Sequence, residues 1–512
     1  MTRPALVPTA LGRLVSRLVL GLTLALTLGL IAAVWLQLPG ANGPQEWRWA
    51  YRPPGLDGLG LAALLGAAGL ATAVAFWKEG RFAATAGGLA LLGLSGFALT
   101  LGVVRAQPGG FERVLQSLAS RHSFSYVYDA GVAPGTRELL ADYPRASEDL
   151  DLHSRTHPPG PLLLVRGLDA VSRGLPVAPD GGLAAAAQEA LQREVHRARE
   201  RHRPAPDVPP GPWSIVLLGF LLPALSAATA WPLHRLARTW GLSEAAAAWA
   251  VLLWLLTPAR SLFTPSLDQA LPFLVVGAAA LLAGGRAGRA LAAGLLAAAA
   301  CFLSYGCLAL LPWLALVALA ADLPADLPAD LPTDQPQPLR LTALGRTAAP
   351  RLLLFGAGFL LPFTLLALAY GYAPWRDFRA AIGMHRVMAV LNRSYSTWVG
   401  FNLYDFALLT GPVLLGLGLA LLTVAVKPAR PGSRPLHLGL WGFWGLLALL
   451  DLSGSVRGEV GRIWIFLMPL AALFAAAALA AWPTRASRWA AGLAALELAL
   501  LLSLAANLVF VS

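Results

Sequence analysis

Four short stretches of this chain concentrate side chains able to do chemistry. The first runs from Asp142-Tyr143-Pro144 through Asp149-Leu150-Asp151 and His153-Ser154-Arg155-Thr156 to His157-Pro158-Pro159-Gly160-Pro161. Three prolines preset φ and lack N–H donors, so the chain arrives extended and can start a helix at Pro161. A helix N-terminus flanked by Arg155 and His157, with His153 one turn earlier, suits a phosphate. The second stretch, Ser266-Leu267-Asp268-Gln269, puts an acid at the start of an apolar run, where a helix N-cap is the plainer role. The third holds Arg386, Asn392-Arg393-Ser394-Tyr395, Trp398, Asn402 and Asp405, a mixture of cations, amides and rings that fits sugar and phosphate recognition and also an interfacial anchor. The fourth, Glu459-Val460-Gly461-Arg462-Ile463-Trp464, spaces an acid and a cation by three, so they can simply pair.

These groups sit in a chain of 512 residues with 57% hydrophobic and 13% charged residues and a mean hydropathy of +0.62. Soluble domains carry about 25% charge, and single cores stop growing near 250–300 residues. A soluble enzyme and a disordered chain are excluded, which leaves an all-α polytopic membrane protein. Apolar runs at about 14–36, 57–77, 82–103, 213–238, 244–260, 267–284, 287–303, 306–320, 350–372, 404–425, 437–453, 462–481 and 489–511 predict about 13 transmembrane helices. The first is too long for a signal h-region and reads as a retained anchor. With the N-terminus cytoplasmic, inner connections hold 17 basic residues and short outer ones nine, the bias expected of cytoplasmic loops. The net charge of +12 is therefore topological and does not imply nucleic acid. Cys301 and Cys307 fall in an apolar stretch and read as inert thiols; no zinc spacing is present.

The pattern divides the chain into a three-helix membrane segment at 1–103, a large outer loop with interfacial helices at 104–212, central membrane helices at 213–320, a cytoplasmic Pro/Asp-repeat linker at 321–349 and C-terminal membrane helices at 350–512. The period-four repeat at 321–334 places a proline in nearly every unit, which forbids helix. Inside the outer loop a helix is predicted at 183–203, with Glu189 and Arg193 in the supportive i,i+4 order and a headgroup-facing arginine end. In this orientation all four chemical stretches fall on the outer face. Glu497 is the one acid deep in a span.

Thr156-His157-Pro158-Pro159-Gly160-Pro161 after an acidic outer loop resembles the His-Pro-Pro element of GT-C glycosyltransferases, which use polyprenyl-phosphate sugars. The Arg393-Ser394-Tyr395, Trp398, Asn402-Leu403-Tyr404-Asp405 and Glu459–Trp464 runs are similar to segments of bacterial members. The resemblance spans about residues 105–480 and implies sugar transfer at the outer leaflet of a bacterial plasma membrane, from a polyprenyl-phosphate donor to a glycan, lipid or protein acceptor. In that family the acid-bearing loop follows the first span, whereas here it follows the third; the 37–56 loop offers only Glu46, without His-Pro-Pro. The implied base is Asp142, with Asp149 and Asp151 as rivals and Asp268 as a further acid. Implied phosphate and substrate contacts are His153, Arg155, His157, Arg393, Tyr395, Trp398, Glu459 and Arg462. No protein metal site or cofactor motif is visible, and a divalent cation stays open. Two other readings remain: a ligase using a diphosphate-linked polymer, and a flippase or ion-coupled transporter, which the scarcity of ionisable groups in the spans disfavours.

Overall fold

The computed structural model describes residues 10–45, 48–53, 86–177, 182–321, 341–425, 434–481 and 486–510, with isolated positions between 60 and 69. Among these residues the chain is helical almost throughout. The one β-pairing joins Ala50–Tyr51 to Leu508–Val509, antiparallel, and ties the first outer connection to the C-terminus. Trp49 packs beside it at 4.9 Å from Phe510 and 5.6 Å from Phe263.

Among the described residues six helices are long and apolar enough to cross a bilayer: Arg17–Trp35, Gly87–Ala106, Pro212–Thr239, Ala348–Tyr370, Arg434–Leu452 and Trp489–Asn507. This is a membrane protein's arrangement, because helices satisfy their own backbone groups where no water can. The run expected as one span at 404–425 is instead two helices, Tyr395–Thr410 and Pro412–Leu422, bent by 106°. Gly411 at φ 107 makes the corner, and Pro412 has no N–H with which to continue the first helix. Counted as one bent span, it makes up to seven. The runs at 244–260, 267–284, 287–303, 306–320 and 462–481 form apolar helices of at most 17 residues, short of the roughly 20 that cross a 30 Å core. The expected span at 57–77 and the repeat at 322–334 lie outside the described residues, apart from those isolated positions.

Residues 110–200 build a cap of short helices: Gly110–Ala119, Tyr126–Val132, Thr136–Ala141, Tyr143–Ala146, Leu152–Thr156, Gly160–Ser172 and Leu183–Glu200. The last buries Ala184, Ala187, Ala190, Leu191, Val195 and Ala198, a helical stripe of small residues. It ends three residues before the expected 203. Glu189 pairs with Arg193 as its spacing predicts, and Arg197 pairs with Glu194 at 2.7 Å. The cap has its own apolar cluster, in which Leu118, Val127, Leu139, Leu162 and Ala187 meet Ile215, Leu218 and Leu267 from the membrane helices. That contact seats the His-Pro-Pro turn against the membrane bundle.

Candidate functional site

Local backbone chemistry explains how the fourth stretch is held. Gly458 and Glu459 both adopt positive φ, 97° and 60°, the latter uncommon for a residue with a Cβ. Two side chains on helix Tyr395–Thr410, three residues apart and so on one face, hold this corner. Asn402 donates to the Val456 carbonyl at 2.9 Å and accepts from the Gly458 N–H at 2.9 Å. Asp405 accepts from the Gly461 N–H at 3.0 Å. So fixed, Glu459 accepts from Arg462 at 2.9 Å and from Arg393 at 3.3 Å. Burial alone would raise the Glu459 carboxyl, but Arg462 and Arg393 outweigh it and hold the group below its usual range. Arg393 lies over the Trp398 ring, 5.5 Å from its centre. On the far side of Arg462 stands Asp268, 3.9 Å away, which accepts from the Ser266 hydroxyl at 3.0 Å.

Asp268, Arg462, Glu459 and Arg393 therefore form one line of alternating charge, drawn from three segments far apart in sequence. Gly458 is required where the line passes: a Cβ there would fall 2.6 Å from Arg393 Nη1 and 2.8 Å from Trp398. Gly458→Ala is expected to destabilise by about 1 kcal/mol or more, since it adds a Cβ at positive φ, and to release Arg393 from Trp398. Tryptophan fluorescence through a denaturant titration measures both.

The histidines approach from the cap. His157 Nδ1 lies 3.0 Å from the His153 carbonyl, and the ring meets Tyr126 at 5.8 Å and His153 at 6.4 Å between centres. Burial, then the charges of His153 and Arg462, push its pKa down to about 3; His153 is lowered too, chiefly by burial. Both imidazoles are neutral at pH 7. The unfolded chain takes up the His157 proton near pH 6.5 while the folded chain resists until about 3. Stability from His157 is therefore complete above pH 6.5 and falls away as pH drops toward 3. His157→Asn is expected to flatten the pH dependence of unfolding in that window, read by thermal melts from pH 4 to 8.

The four predicted acids have separate fates. Asp268 belongs to the charged line. Asp151 is gripped at both oxygens by Arg121, at 2.8 and 2.9 Å, and its N–H points to Asp129 at 3.3 Å. Asp142 is half-exposed and faces Arg376 at 3.3 Å, and Asp149 is exposed. Arg155 is half-buried on the His153 helix. Tyr395 donates to the Leu452 carbonyl at 2.8 Å beneath Arg457. The structure thus brings together His153, His157, Asp268, Arg393, Trp398, Glu459 and Arg462; it leaves Asp149 apart and sets Asp142, Asp151 and Tyr395 against other arginines.

Three buried acids, Asp129, Asp377 and Asp451, escaped the sequence reading, and the first two lie in or against the cap. Asp129 accepts from the Ser154 hydroxyl at 2.6 Å and is pushed by burial up to about 6. It braces the helix that presents His153. Asp377, beside Arg376 at 3.8 Å, is pushed by burial up to about 7. The sequence signal for Asp129 was its place in Tyr126-Val127-Tyr128-Asp129, an acid within an aromatic, buried turn.

No family model, curated protein or solved structure matches this chain. The site has to be read from its own chemistry. Among the described residues no three His, Cys, Asp or Glu side chains are grouped to hold a metal ion. The charged line pairs two guanidinium groups with two carboxylates beside uncharged imidazoles. Guanidinium forks recognise planar or tetrahedral oxyanions, and a carboxylate next to them can accept a proton. A cavity of about 820 Å³ opens in the cap, bordered by Arg166, Asp169, Arg173 and Trp213. Helix Gly160–Ser172, 13 residues long and so roughly 20 Å, runs from the His157 turn to that cavity.

Proposed function

We propose that this chain is an integral-membrane glycosyltransferase of the GT-C kind, acting at the outer face of a bacterial plasma membrane with its N-terminus cytoplasmic. The observation that carries the reading is the convergence of His153, His157, Asp268, Arg393, Glu459 and Arg462 into one cluster. The thirteen-span topology belongs to the same proposal, the shorter apolar helices then pairing with bilayer thinning or with neighbours.

In this reading Arg462 and Arg393 grip the phosphate of a polyprenyl-phosphate sugar, and Glu459 holds both guanidinium groups in register. The acceptor hydroxyl attacks the anomeric carbon; its oxygen bonds to that carbon as the bond to the phosphate oxygen breaks. Asp268 takes the hydroxyl proton, and the departing polyprenyl phosphate keeps the electron pair, its added charge met by the arginines. Neutral His157 offers a hydrogen bond without adding charge. Asp142 stands as the second acid to test, because Arg376 orients it. The cavity at the far end of helix Gly160–Ser172 suits a distal part of an extended acceptor and not its reacting hydroxyl.

Asp268→Asn in purified protein is expected to lower transfer about 10²–10⁴-fold, the usual weight of general base catalysis, while Asp149→Asn leaves it unchanged. If Asp142→Asn alone abolishes transfer and Asp268→Asn does not, the base moves to Asp142. A protein that accepts only diphosphate-linked polymer is a ligase instead.

A further inference from the structure

Glu497 lies midway along the spanning helix Ala486–Asn507, is fully buried, and has no hydrogen-bond partner at either carboxylate oxygen among the described residues. It is packed onto the corner of the broken span: a Cβ on Gly411 would collide with its carboxylate. The neighbouring Thr410 hydroxyl is also fully buried and unpartnered. Pro412 offers no N–H to the Leu408 carbonyl, so the break leaves the last carbonyls of helix Tyr395–Thr410 without helical partners. A helix C-terminus carries partial negative charge. A carboxylate placed against it, away from water, is repelled rather than stabilised. The second helix, Pro412–Ala425, opens at the same corner and turns the Leu414 and Leu415 N–H groups to the Gly411 carbonyl, so the oxygens left over are those of Glu497, Thr410 and the last carbonyls of the first helix.

We propose that Glu497, Thr410 and the freed carbonyls at the Gly411 corner form an intramembrane site for a small alkali cation, with sodium the fitting size. Broken helices near mid-membrane present backbone carbonyls and an acid to sodium in this way. The number of oxygens exceeds what a single proton can use. Thr410 and Gly411 end the helix whose Asn402 and Asp405 hold the charged line, but the proposed site shares no ligand with that line and stands independently of the glycosyltransferase reading.

The test uses the full chain in lipid nanodiscs at constant ionic strength, with sodium chloride exchanged for choline chloride. The expected result is saturable retention of radiolabelled sodium and an unfolding midpoint that rises with sodium. Glu497→Gln should lose both responses, and Thr410→Val should weaken sodium binding about tenfold, roughly the 1.4 kcal/mol of one ligand. If Glu497→Gln fails to fold, wild-type retention and Thr410→Val decide. Wild-type protein that retains no sodium overturns the proposal, as does a Glu497→Gln variant that binds like wild type. A midpoint that follows pH but ignores sodium also overturns it, making Glu497 a protonated acid bonded to the helix end.

Discussion

Replacing Arg462 with methionine is expected to abolish sugar transfer and to cost about 3–5 kcal/mol of stability. Arg462 stands between Asp268 and Glu459, and its side chain is only 17% exposed. Removing it leaves two carboxylates facing one another with Arg393 as the one remaining cation in the line, and that cation pairs with Glu459. Breaking one partner of a mostly buried ion network is far more damaging than the network's net worth, because the surviving charges have lost their solvation. Arg462→Lys separates the two roles. A lysine keeps the charge, so much of the stability should return; it lacks the fork that can hold Glu459 and a phosphate oxygen together, so transfer should stay low. Urea denaturation alongside the transfer assay reads both effects. Equal recovery of stability and activity in the lysine variant would reduce Arg462 to a structural ion.

Gly160→Ala is expected to be nearly as severe, through geometry alone. The His-Pro-Pro turn delivers helix Gly160–Ser172 so close to the apolar helix Ala287–Leu303 that a Cβ on Gly160 would run into the Phe302 carbonyl. A backbone carbonyl cannot rotate out of the way, so the helix must shift. Overpacking of this kind costs about 1–3 kcal/mol. Because His157 is three residues away on the same turn, a displacement near 1 Å should also lower transfer about 10²-fold. Gly167→Ala on the same helix is the control. Nothing lies within 4 Å of its Cβ, and alanine is the better helix former by up to about 1 kcal/mol. The two variants should therefore move the melting temperature in opposite directions.

Much of the site was visible before the structure because its residues break rules. An acid at the head of an apolar run, a proline pair after a histidine, and an acid–arginine spacing of three each stand out against hydrophobic sequence. Their convergence was predicted only as a common face; the contact between Asp268 and Arg462 across nearly two hundred residues is a product of packing that no local pattern encodes. Asp129 and Asp377 stand out far less, for the opposite reason. Each is one acid in a short helix, of seven and twelve residues, which gives too little periodicity to reveal which side is buried. Asn402 and Asp405 were seen as part of a polar mixture, but their work, holding the backbone at Gly458 and Gly461, depends on a loop over fifty residues away.

The membrane architecture shows where hydropathy succeeds and stops. Long apolar runs mark helices reliably, because a spanning segment must satisfy its own backbone. Hydropathy says nothing of direction, so the run at 404–425 looked continuous although Gly411-Pro412 is a turn signal. Hydropathy also gives no helix length: the four runs between 244 and 320 and the run at 462–481, expected as crossings, form helices of at most 17 residues.

In the proposed function the charged line from Asp268 to Arg393 transfers a sugar from a lipid monophosphate. Its most direct test is release of polyprenyl phosphate and labelling of acceptor by purified protein in nanodiscs, with a synthetic polyprenyl-phosphate sugar as donor, comparing wild type with Asp268→Asn and Arg462→Met. Wild type is expected to transfer, and each variant to lose about 10²–10³-fold or more, the weight of a base or of one charge-stabilising group, with helical content retained. Transfer at the wild-type rate by either variant, or none by wild type from any monophosphate donor while a diphosphate-linked polymer is consumed, would contradict it.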